Sequence, residues 1–174
     1  MRQTLHILTR QYESPFGTLQ LGSFGDKLCL CDWLVEKHHH RVCSRLTRIL
    51  GAELVEGSSD VMEEAASQLD AYFCGERREF SVPLLFAGTD FQKKVWNELL
   101  HIPYGETLSY ARMARHIGKP QAIRAVAGAN GANALSIFAP CHRVIGSDHS
   151  LTGYAGGVDT KRRLLELEGV IMCN

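Results

Sequence analysis

The segment that governs the interpretation of this chain lies in its last third and reads Ala139-Pro140-Cys141-His142-Arg143-Val144-Ile145. The mostly apolar residues 135–138 come before it, and a polar loop with several glycines, residues 146–157, follows it. A thiol, an imidazole and a guanidinium therefore lie side by side where a buried segment meets a loop. Because a neighbouring cation lowers the pKa of a thiol, such a cysteine can become a nucleophile. A cysteine alone is more often an inert buried side chain, so the interpretation depends on the rest of the chain.

The composition is that of a globular protein, and its net charge of zero hides an asymmetry. The chain has 174 residues, enough for one domain or two small ones, with 45% hydrophobic and 22% charged residues. Residues 1–90 carry 9 Lys and Arg against 13 Asp and Glu, whereas residues 91–174 carry 10 against 6. A basic half on a neutral chain predicts a face that meets a polyanion, although a solvated surface explains the same charges equally well.

The N-terminal sequence has no apolar segment of signal-peptide length, and no stretch approaches the ~20 apolar residues of a membrane span. We therefore expect a cytoplasmic protein without a membrane partner, in a reducing compartment. Its cysteines are then expected to be free thiols, at positions Cys29, Cys31, Cys43, Cys74, Cys141 and Cys173. The spacing of Cys29 and Cys31 is not that of a zinc site. The consecutive imidazoles of residues 38–40 point in different directions on a helix, so they cannot chelate one ion together.

The first 88 residues are predicted to form a small N-terminal α/β domain. Residues 3–33 read as a small antiparallel meander, with turns at residues 14–17 and 25–26. A helix is expected from His38 to Leu50, and a second helix with Asp60 as its N-cap. Residues 80–86 read as an apolar strand or an extended linker, and Pro83 places them at a sheet edge. The domain boundary is expected near Gly88.

Residues 89–174 are predicted to form a mostly helical domain. Thr89 and Gln92 form a capping box for a helix whose apolar stripe is Phe91, Val95, Trp96, Leu99 and Leu100. A short helix capped by Ser109 and a helix over residues 121–132 are joined by a three-residue turn containing Gly. That is the form of a winged-helix-like helix-turn-helix. A closing helix is expected over residues 158–168, and the fold class of the whole chain is α/β (α+β).

The second helix of this pair is built from small residues, with Arg124 as its one charged side chain. A helix that reads bases in the major groove normally presents several long polar side chains. This helix instead lets its backbone approach a surface such as a narrow groove, so that DNA would be bound mainly through phosphates with little sequence preference. Close packing of two helices is the alternative that small residues also permit.

Taken together, these patterns resemble one protein family, the O6-alkylguanine-DNA alkyltransferases, also called methylated-DNA–protein-cysteine methyltransferases. The residues that carry the resemblance are Pro140 to Val144, Arg124 to Val126, Asn133, Gly153 to Gly157, and the spaced Tyr110 and Glu168. The similarity runs from about Phe91 to Gly169. Residues 1–88 are similar to the N-terminal domain of the family only in length and in the order of sheet and helices.

The resemblance implies direct reversal of DNA damage. The helix-turn-helix would bind the minor groove of double-stranded DNA and flip the alkylated base out of the duplex, because the O6 atom lies inside the base stack. The alkyl group of O6-alkylguanine, and of O4-alkylthymine, would then pass irreversibly to the thiol, one group per protein molecule. The resemblance implies a monomer that needs no cofactor and no metal.

The resemblance also implies roles for individual residues. Cys141 accepts the alkyl group, His142 acts as a base through a water molecule, and Glu168 orients His142. Tyr110 donates a proton to the departing guanine, and Asn133 braces the site. The residues expected to contact the base or the DNA are Arg124, which fills the space of the flipped base, the carbonyls of Cys141 and Val144, the pocket residues Tyr154 and Ala155, and the helix residues Ala125, Ala127 and Gly128.

Two features differ from other members of the family. Some members carry Ser at the position of Ala155, and alanine there removes a possible hydrogen bond to the base and leaves room for bulkier lesions. The structural zinc of some relatives has no evident ligand set in this sequence. We also expect a stand-alone repair protein of the bacterial type, because the Cys-rich regulatory domain of the inducible relatives is not present in the sequence.

Three other functions are compatible with parts of the sequence. A non-repairing relative that only marks alkylated DNA lacks the acceptor cysteine, whereas Cys141 is present. A DNA-binding regulator is expected to carry base-reading side chains on its second helix. A cysteine hydrolase using Cys141 and His142 would turn over repeatedly and requires an oxyanion hole, which the sequence does not reveal.

Overall fold

The N-terminal unit is built on a four-stranded sheet. In the computed structural model, which describes residues 3–170, the strands lie in the order β3-β2-β1-β4. They are β1 (Leu5–Ser14), β2 (Gly17–Phe24), β3 (Lys27–Trp33) and β4 (Ala52–Glu56). The first three form the predicted antiparallel meander, whereas β4 pairs with β1 in parallel and is not among the predicted elements. Cys173 and the first two residues lie outside the described part of the chain.

The two helices of this unit begin at residues other than those predicted. Helix α1 (Glu36–Leu50) begins two residues before His38, and it ends where Gly51 takes a left-handed φ of 59°. Helix α2 (Asp60–Phe73) has Ser59 as its N-cap, because the Ser59 hydroxyl accepts a hydrogen bond from the Met62 amide at 3.4 Å. The prediction that Asp60 is the N-cap is therefore wrong by one residue. Both residue types cap well, and the extended backbone of Ser59 together with its hydroxyl hydrogen bond distinguishes them.

The core of this unit lies between the sheet and α2. Strand β2 buries Leu19 and Leu21, which are alternate residues and therefore share one face. Helix α2 contributes Leu69 and Tyr72, which are three residues apart and therefore lie on one side of the helix.

Residues 80–86 form an extended linker along the outer edge of β3. Their one bridge pairs Leu84 with Leu28 in parallel. The Leu28 amide donates to the Pro83 carbonyl at 2.9 Å, and the Leu85 amide donates to the Leu28 carbonyl at 2.8 Å. Pro83 therefore contributes an acceptor where its missing N–H is not needed, and the predicted edge position is confirmed. By its contacts the chain divides into two compact units, residues 1–88 and residues 89–174.

The second unit begins with the predicted capping box. The Thr89 hydroxyl accepts from the Gln92 amide at 3.1 Å, and the Gln92 side chain accepts from the Thr89 amide at 3.0 Å. Helix α3 (Asp90–Leu99) buries Val95, Trp96 and Leu99. Leu100 is 44% exposed, so its predicted place in the apolar stripe is wrong, because the helix ends at Leu99.

Two short helices follow α3. The Ser109 hydroxyl caps helix α4 (Tyr110–His116) by accepting from the Arg112 amide at 3.1 Å, as predicted. Helix α5 (Ile123–Gly131) packs on α3, and the Trp96 indole N–H donates to the Ala129 carbonyl at 2.7 Å. The connection spans residues 117–122 and is longer than the predicted three-residue turn, because Ile117, Gln121 and Ala122 lie outside the two helices.

A two-stranded parallel sheet joins the remaining parts of this unit. Strand β5 (Leu108–Ser109) pairs with β6 (Val144–Ile145), so the start of α4 lies beside the segment that contains the Cys-His-Arg sequence. Helix α6 (Val158–Leu167) closes the unit and buries Leu164 and Leu165. Within the described residues no helix is long and apolar enough to cross a membrane.

Candidate active site

Cys141 lies at the start of a single 3₁₀ turn, Cys141–Arg143, between a buried loop and β6. Its side chain is nearly inaccessible, with 4% of the residue exposed. Ile137, four residues earlier, has a φ of 73°, which β-branched residues rarely adopt. Local preference therefore does not explain this loop, and contacts from elsewhere must hold it.

Asn133 and Asn130 hold the loop in place. The Asn133 side-chain amide donates to the Ala139 carbonyl at 2.8 Å, and its oxygen accepts from the Leu135 amide at 3.0 Å. One buried side chain thus connects the backbone on both sides of Ile137. Asn130, on α5, donates to the Cys141 carbonyl at 3.3 Å. Sequence reasoning missed Asn130, which is marked only by being a polar residue on the inward face of α5.

Glu168 connects His142 and Arg143 into one buried cluster. The Glu168 carboxylate lies 2.8 Å from the His142 Nε2 and accepts two hydrogen bonds of 2.9 Å from the Arg143 guanidinium. The third guanidinium nitrogen of Arg143, Nη1, donates to the Ile102 carbonyl at 2.7 Å. Sequence reasoning predicted the pairing of His142 with Glu168 and missed the role of Arg143. Both His142 and Arg143 therefore bind the same carboxylate.

Burial and hydrogen bonding shift the pKa of Glu168 in opposite directions, and they also oppose each other at His142. Burial alone would raise the pKa of Glu168, but the hydrogen bonds from His142 and Arg143 lower it to about 2. Burial lowers the pKa of His142, and the pairing with Glu168 opposes this shift only in part. At neutral pH the carboxylate is thus ionised and the imidazole is neutral, with its Nε2–H donating to Glu168. The opposite nitrogen, Nδ1, is buried and has no hydrogen-bond partner among residues 3–170.

Lys161, a residue that sequence reasoning missed, lies fully buried beside the reactive segment. Its ammonium donates to the Val144 carbonyl at 2.6 Å and to the Thr152 carbonyl at 3.2 Å. Burial lowers the pKa of Lys161 to about 8, against the opposing influence of Cys141. Its position three residues before Leu164 on α6, on the apolar face, is the signal that would have found it.

The remaining predicted residues lie on α4, on the loop before α6 and on the backbone near the 3₁₀ turn. Tyr110 lies half-buried at the start of α4, where burial raises the pKa of its phenol and its hydroxyl donates to the Thr152 carbonyl at 3.3 Å. The Tyr154 ring centroid lies 6.5 Å from that of His142. Ala155 is half-buried in the same loop. The Val144 carbonyl accepts a hydrogen bond from Lys161, and the Cys141 carbonyl accepts one from the Asn130 side chain and one from the Val144 amide.

Helix α5 separates an exposed face from the buried site. Val126, Ala129 and Asn130 face inward. The exposed residues are the predicted DNA-contacting set, Arg124, Ala125, Ala127 and Gly128, together with Ile123 and Gly131. A Cβ atom added at Gly128 or Gly131 would meet no atom within 4 Å outside the neighbouring residues and backbone of its own helix. The small residues on this face therefore do not serve helix packing within this unit, and the alternative of a close helix–helix contact fails for them.

In the described residues no group of three or more His, Cys, Asp or Glu side chains has the arrangement of a metal site. The arrangement around Cys141 can instead deprotonate a thiol and retain the proton on a neighbouring imidazole. A neutral base with a fixed anion behind it is what a thiol needs to become a nucleophilic thiolate.

Comparison with known proteins finds a matching family model for each of the two units of the chain. Residues 7–86 match the family model of the "6-O-methylguanine DNA methyltransferase, ribonuclease-like domain", and residues 90–170 match that of the "6-O-methylguanine DNA methyltransferase, DNA binding domain". The methylated-DNA–protein-cysteine methyltransferase of Methanosarcina acetivorans is 54% identical over 91% of this chain and 96% of its own length. The protein of the same name from Mycobacterium tuberculosis strain H37Rv is 47% identical over 91% of this chain and 90% of its own.

A solved structure agrees with these sequence relatives. The structure of Mycobacterium tuberculosis OGT in complex with DNA superposes with a TM-score of 0.78 at 46% identity, covering 94% of this chain and 92% of that one. Fold, sequence and both family models therefore agree over nearly the whole length. The chain belongs to the methylated-DNA–protein-cysteine methyltransferase family, and its activity is the direct transfer of a methyl group from damaged DNA to a protein cysteine.

Proposed function

We propose that Cys141 is the acceptor, and that it takes the alkyl group from O6-alkylguanine, and from O4-alkylthymine, in double-stranded DNA. The observation that supports this most directly is that the buried Cys141 is followed in the chain by His142, whose imidazole is neutral. The His142 Nδ1 has no hydrogen-bond partner among the described residues. Consecutive residues do not readily form a direct thiol–imidazole hydrogen bond, so a water molecule carries the proton from Sγ to Nδ1. Glu168, held ionised by Arg143, stabilises the imidazolium that results.

The chemical step is an in-line displacement at the alkyl carbon. The thiolate sulfur forms the new S–C bond while the C–O6 bond breaks and its electron pair remains on the base. Tyr110 donates its phenolic proton to the departing guanine. A buried site favours this step because it excludes water, which otherwise solvates the thiolate. No cofactor is required by this scheme, since the protein thiol itself keeps the alkyl group.

The exposed face of α5 is the part of residues 89–174 that we assign to DNA. Ala125, Ala127 and Gly128 let the helix backbone approach the minor groove, and Arg124 occupies the space of the flipped base. The Cys141 and Val144 carbonyls hold the base, and Tyr154 and Ala155 line the pocket. Residues 1–88 form the separate N-terminal α/β domain of this proposal. We propose that the protein acts as a monomer in the cytoplasm and binds DNA with little preference for base sequence.

The reaction is expected to stop after one methyl group per protein molecule, because a thioether at Cys141 has no route back to the thiolate. When the full chain is mixed with excess duplex containing O6-methylguanine, intact-mass analysis should show the gain of a single methyl group. Peptide mapping should place that group on Cys141, and Cys141→Ser should gain none. Repair that continues beyond one equivalent, or a methyl group on Cys29, Cys31, Cys43, Cys74 or Cys173, would contradict the proposal.

The pH dependence of methyl transfer should reflect the lowered pKa of His142. An imidazole with the ordinary pKa of 6.5 is half protonated at that pH, whereas His142 stays neutral until the pH falls further. With protein saturated by methylated duplex, the single-turnover rate is expected to change little as pH falls from about 7.5 to 6.5 and to decrease only below that range. A rate that already halves at pH 6.5 would show that His142 titrates normally.

A further inference from the structure

A second group of Cys, His and Asp side chains, connected by hydrogen bonds, lies within the N-terminal unit. His39 and Cys43 are one turn apart on α1, and Asp32 is on β3. The Asp32 carboxylate lies 3.0 Å from the His39 Nδ1, and the His39 Nε2 lies 3.4 Å from the Cys43 sulfur. Asp32 is fully buried, while Cys43 is only partly covered. An acid, an imidazole and an accessible thiol are thus connected in series.

The charges around this group favour a protonated imidazole. The hydrogen bonds to Asp32 and Cys43 raise the pKa of His39 to about 9. His38 also approaches Asp32, at 3.2 Å, and the Arg45 guanidinium interacts electrostatically with the same carboxylate. With Asp32 accepting from Nδ1, the Nε2–H of His39 points at the sulfur. An imidazolium in that position stabilises a thiolate.

The other cysteines of this unit lack this combination of contact and access. Cys29 and Cys31 are fully buried, and burial raises the pKa of Cys29 to about 12. Cys74 is exposed, but no imidazole contacts its thiol in the part of the chain that the structure describes. Cys74 is therefore an internal control: an exposed thiol without an imidazole contact in the described chain, with which the reactivity of Cys43 can be compared in the same molecule.

We propose that Cys43 is a second nucleophilic thiol of this protein, a modification site that reduces hydroperoxides with His39 as the proton donor. The Cys43 thiolate attacks the distal peroxide oxygen, an S–O bond forms, and the O–O bond breaks. The alkoxide or hydroxide that leaves takes the Nε2 proton of His39 and departs as alcohol or water. Sulfur is oxidised by two electrons to the sulfenic acid level, and the peroxide is reduced by two.

The hydroperoxide is the electrophile that this geometry fits, since its leaving group is a strong base that needs a proton as the O–O bond breaks. An alkyl halide has a leaving group that needs none, and it would gain nothing from His39 beyond the thiolate itself. The site lies outside the residues assigned to methyl transfer, so this activity is separate from that reaction.

The test uses the full chain, hydrogen peroxide and dimedone, a reagent that traps sulfenic acids. Mapping by mass spectrometry gives the trapping rate at each cysteine. Cys43 is expected to react about tenfold faster than Cys74, because the His39 Nε2–H supplies a proton to the departing oxygen and no imidazole of the described residues does so at Cys74. His39→Gln should lower the Cys43 rate to that of Cys74, and His40→Gln, which changes an exposed imidazole on the same helix, should leave it unchanged.

The comparison of the Cys43 and Cys74 trapping rates within the wild-type protein tests the proposal even if a variant folds poorly. Equal rates at Cys43 and Cys74 would overturn the proposal. So would a folded His39→Gln protein, checked by circular dichroism, in which Cys43 still reacts at the wild-type rate. A matching loss in His40→Gln would show that any change in this helix affects the thiol, and the role of His39 would be withdrawn.

Discussion

Glu168→Gln is expected to slow methyl transfer by about 100-fold or more, the range that general-base catalysis supplies, while DNA binding stays close to that of the wild type. The amide keeps the shape of the side chain but removes the charge that stabilises a His142 imidazolium. The measurement is a single-turnover rate from pre-bound methylated duplex, together with DNA affinity at fixed salt. Glu166→Gln is the matched control, because Glu166 is exposed and lies two residues away.

The same substitution should also weaken the fold, and the pH dependence separates the two effects. Removing the carboxylate leaves the Arg143 guanidinium buried without its counter-charge, which costs about 3–5 kcal/mol. Because the pKa of Glu168 is lowered to about 2 in the folded state, its contribution to stability is present above the pKa of the unfolded chain, about 4.3, and is lost as pH falls toward 2. Unfolding measurements should show this loss in the wild type and its absence in Glu168→Gln. Wild-type transfer rates in a folded Glu168→Gln protein would refute the assignment.

Arg124→Ala is expected to slow repair of methylated duplex by about 100-fold, because unstacking a base costs a few kcal/mol that the inserted side chain offsets. Arg124 is exposed on α5, and the other exposed side chains there are small or apolar. The free base O6-methylguanine needs no flipping, so the variant should react with it at nearly the wild-type rate. The measurement is the methylation rate of Cys141 on both substrates.

A control separates the loss of one positive charge from the loss of flipping. Arg162→Ala removes an exposed arginine from α6, and it should affect repair of the duplex only slightly. If Arg124→Ala slowed the reaction with duplex and with free base equally, Arg124 would support the fold or the pocket, and the flipping role would have to be abandoned.

Local features of this protein are determined by its sequence alone. The capping box of Thr89 and Gln92, the Ser109 cap and the left-handed Gly51 each depend on residues a few positions apart. Pairing of neighbouring strands in the meander is also local, because short turns connect β1, β2 and β3. The assignment of Cys141, His142 and Glu168 to one site came from resemblance to a family, and the first two are adjacent in the chain.

The tertiary structure alone decided contacts that join distant parts of the chain. Parallel strand β4 returns to β1 across α1, and nothing in its five residues specifies that partner. Arg143 and Lys161 are both buried, because Glu168 and backbone carbonyls satisfy their donors. Burying a charge is costly unless it is paired, and whether a partner is present depends on how the elements pack. Periodicity reports which face of a helix is apolar, but not what meets that face.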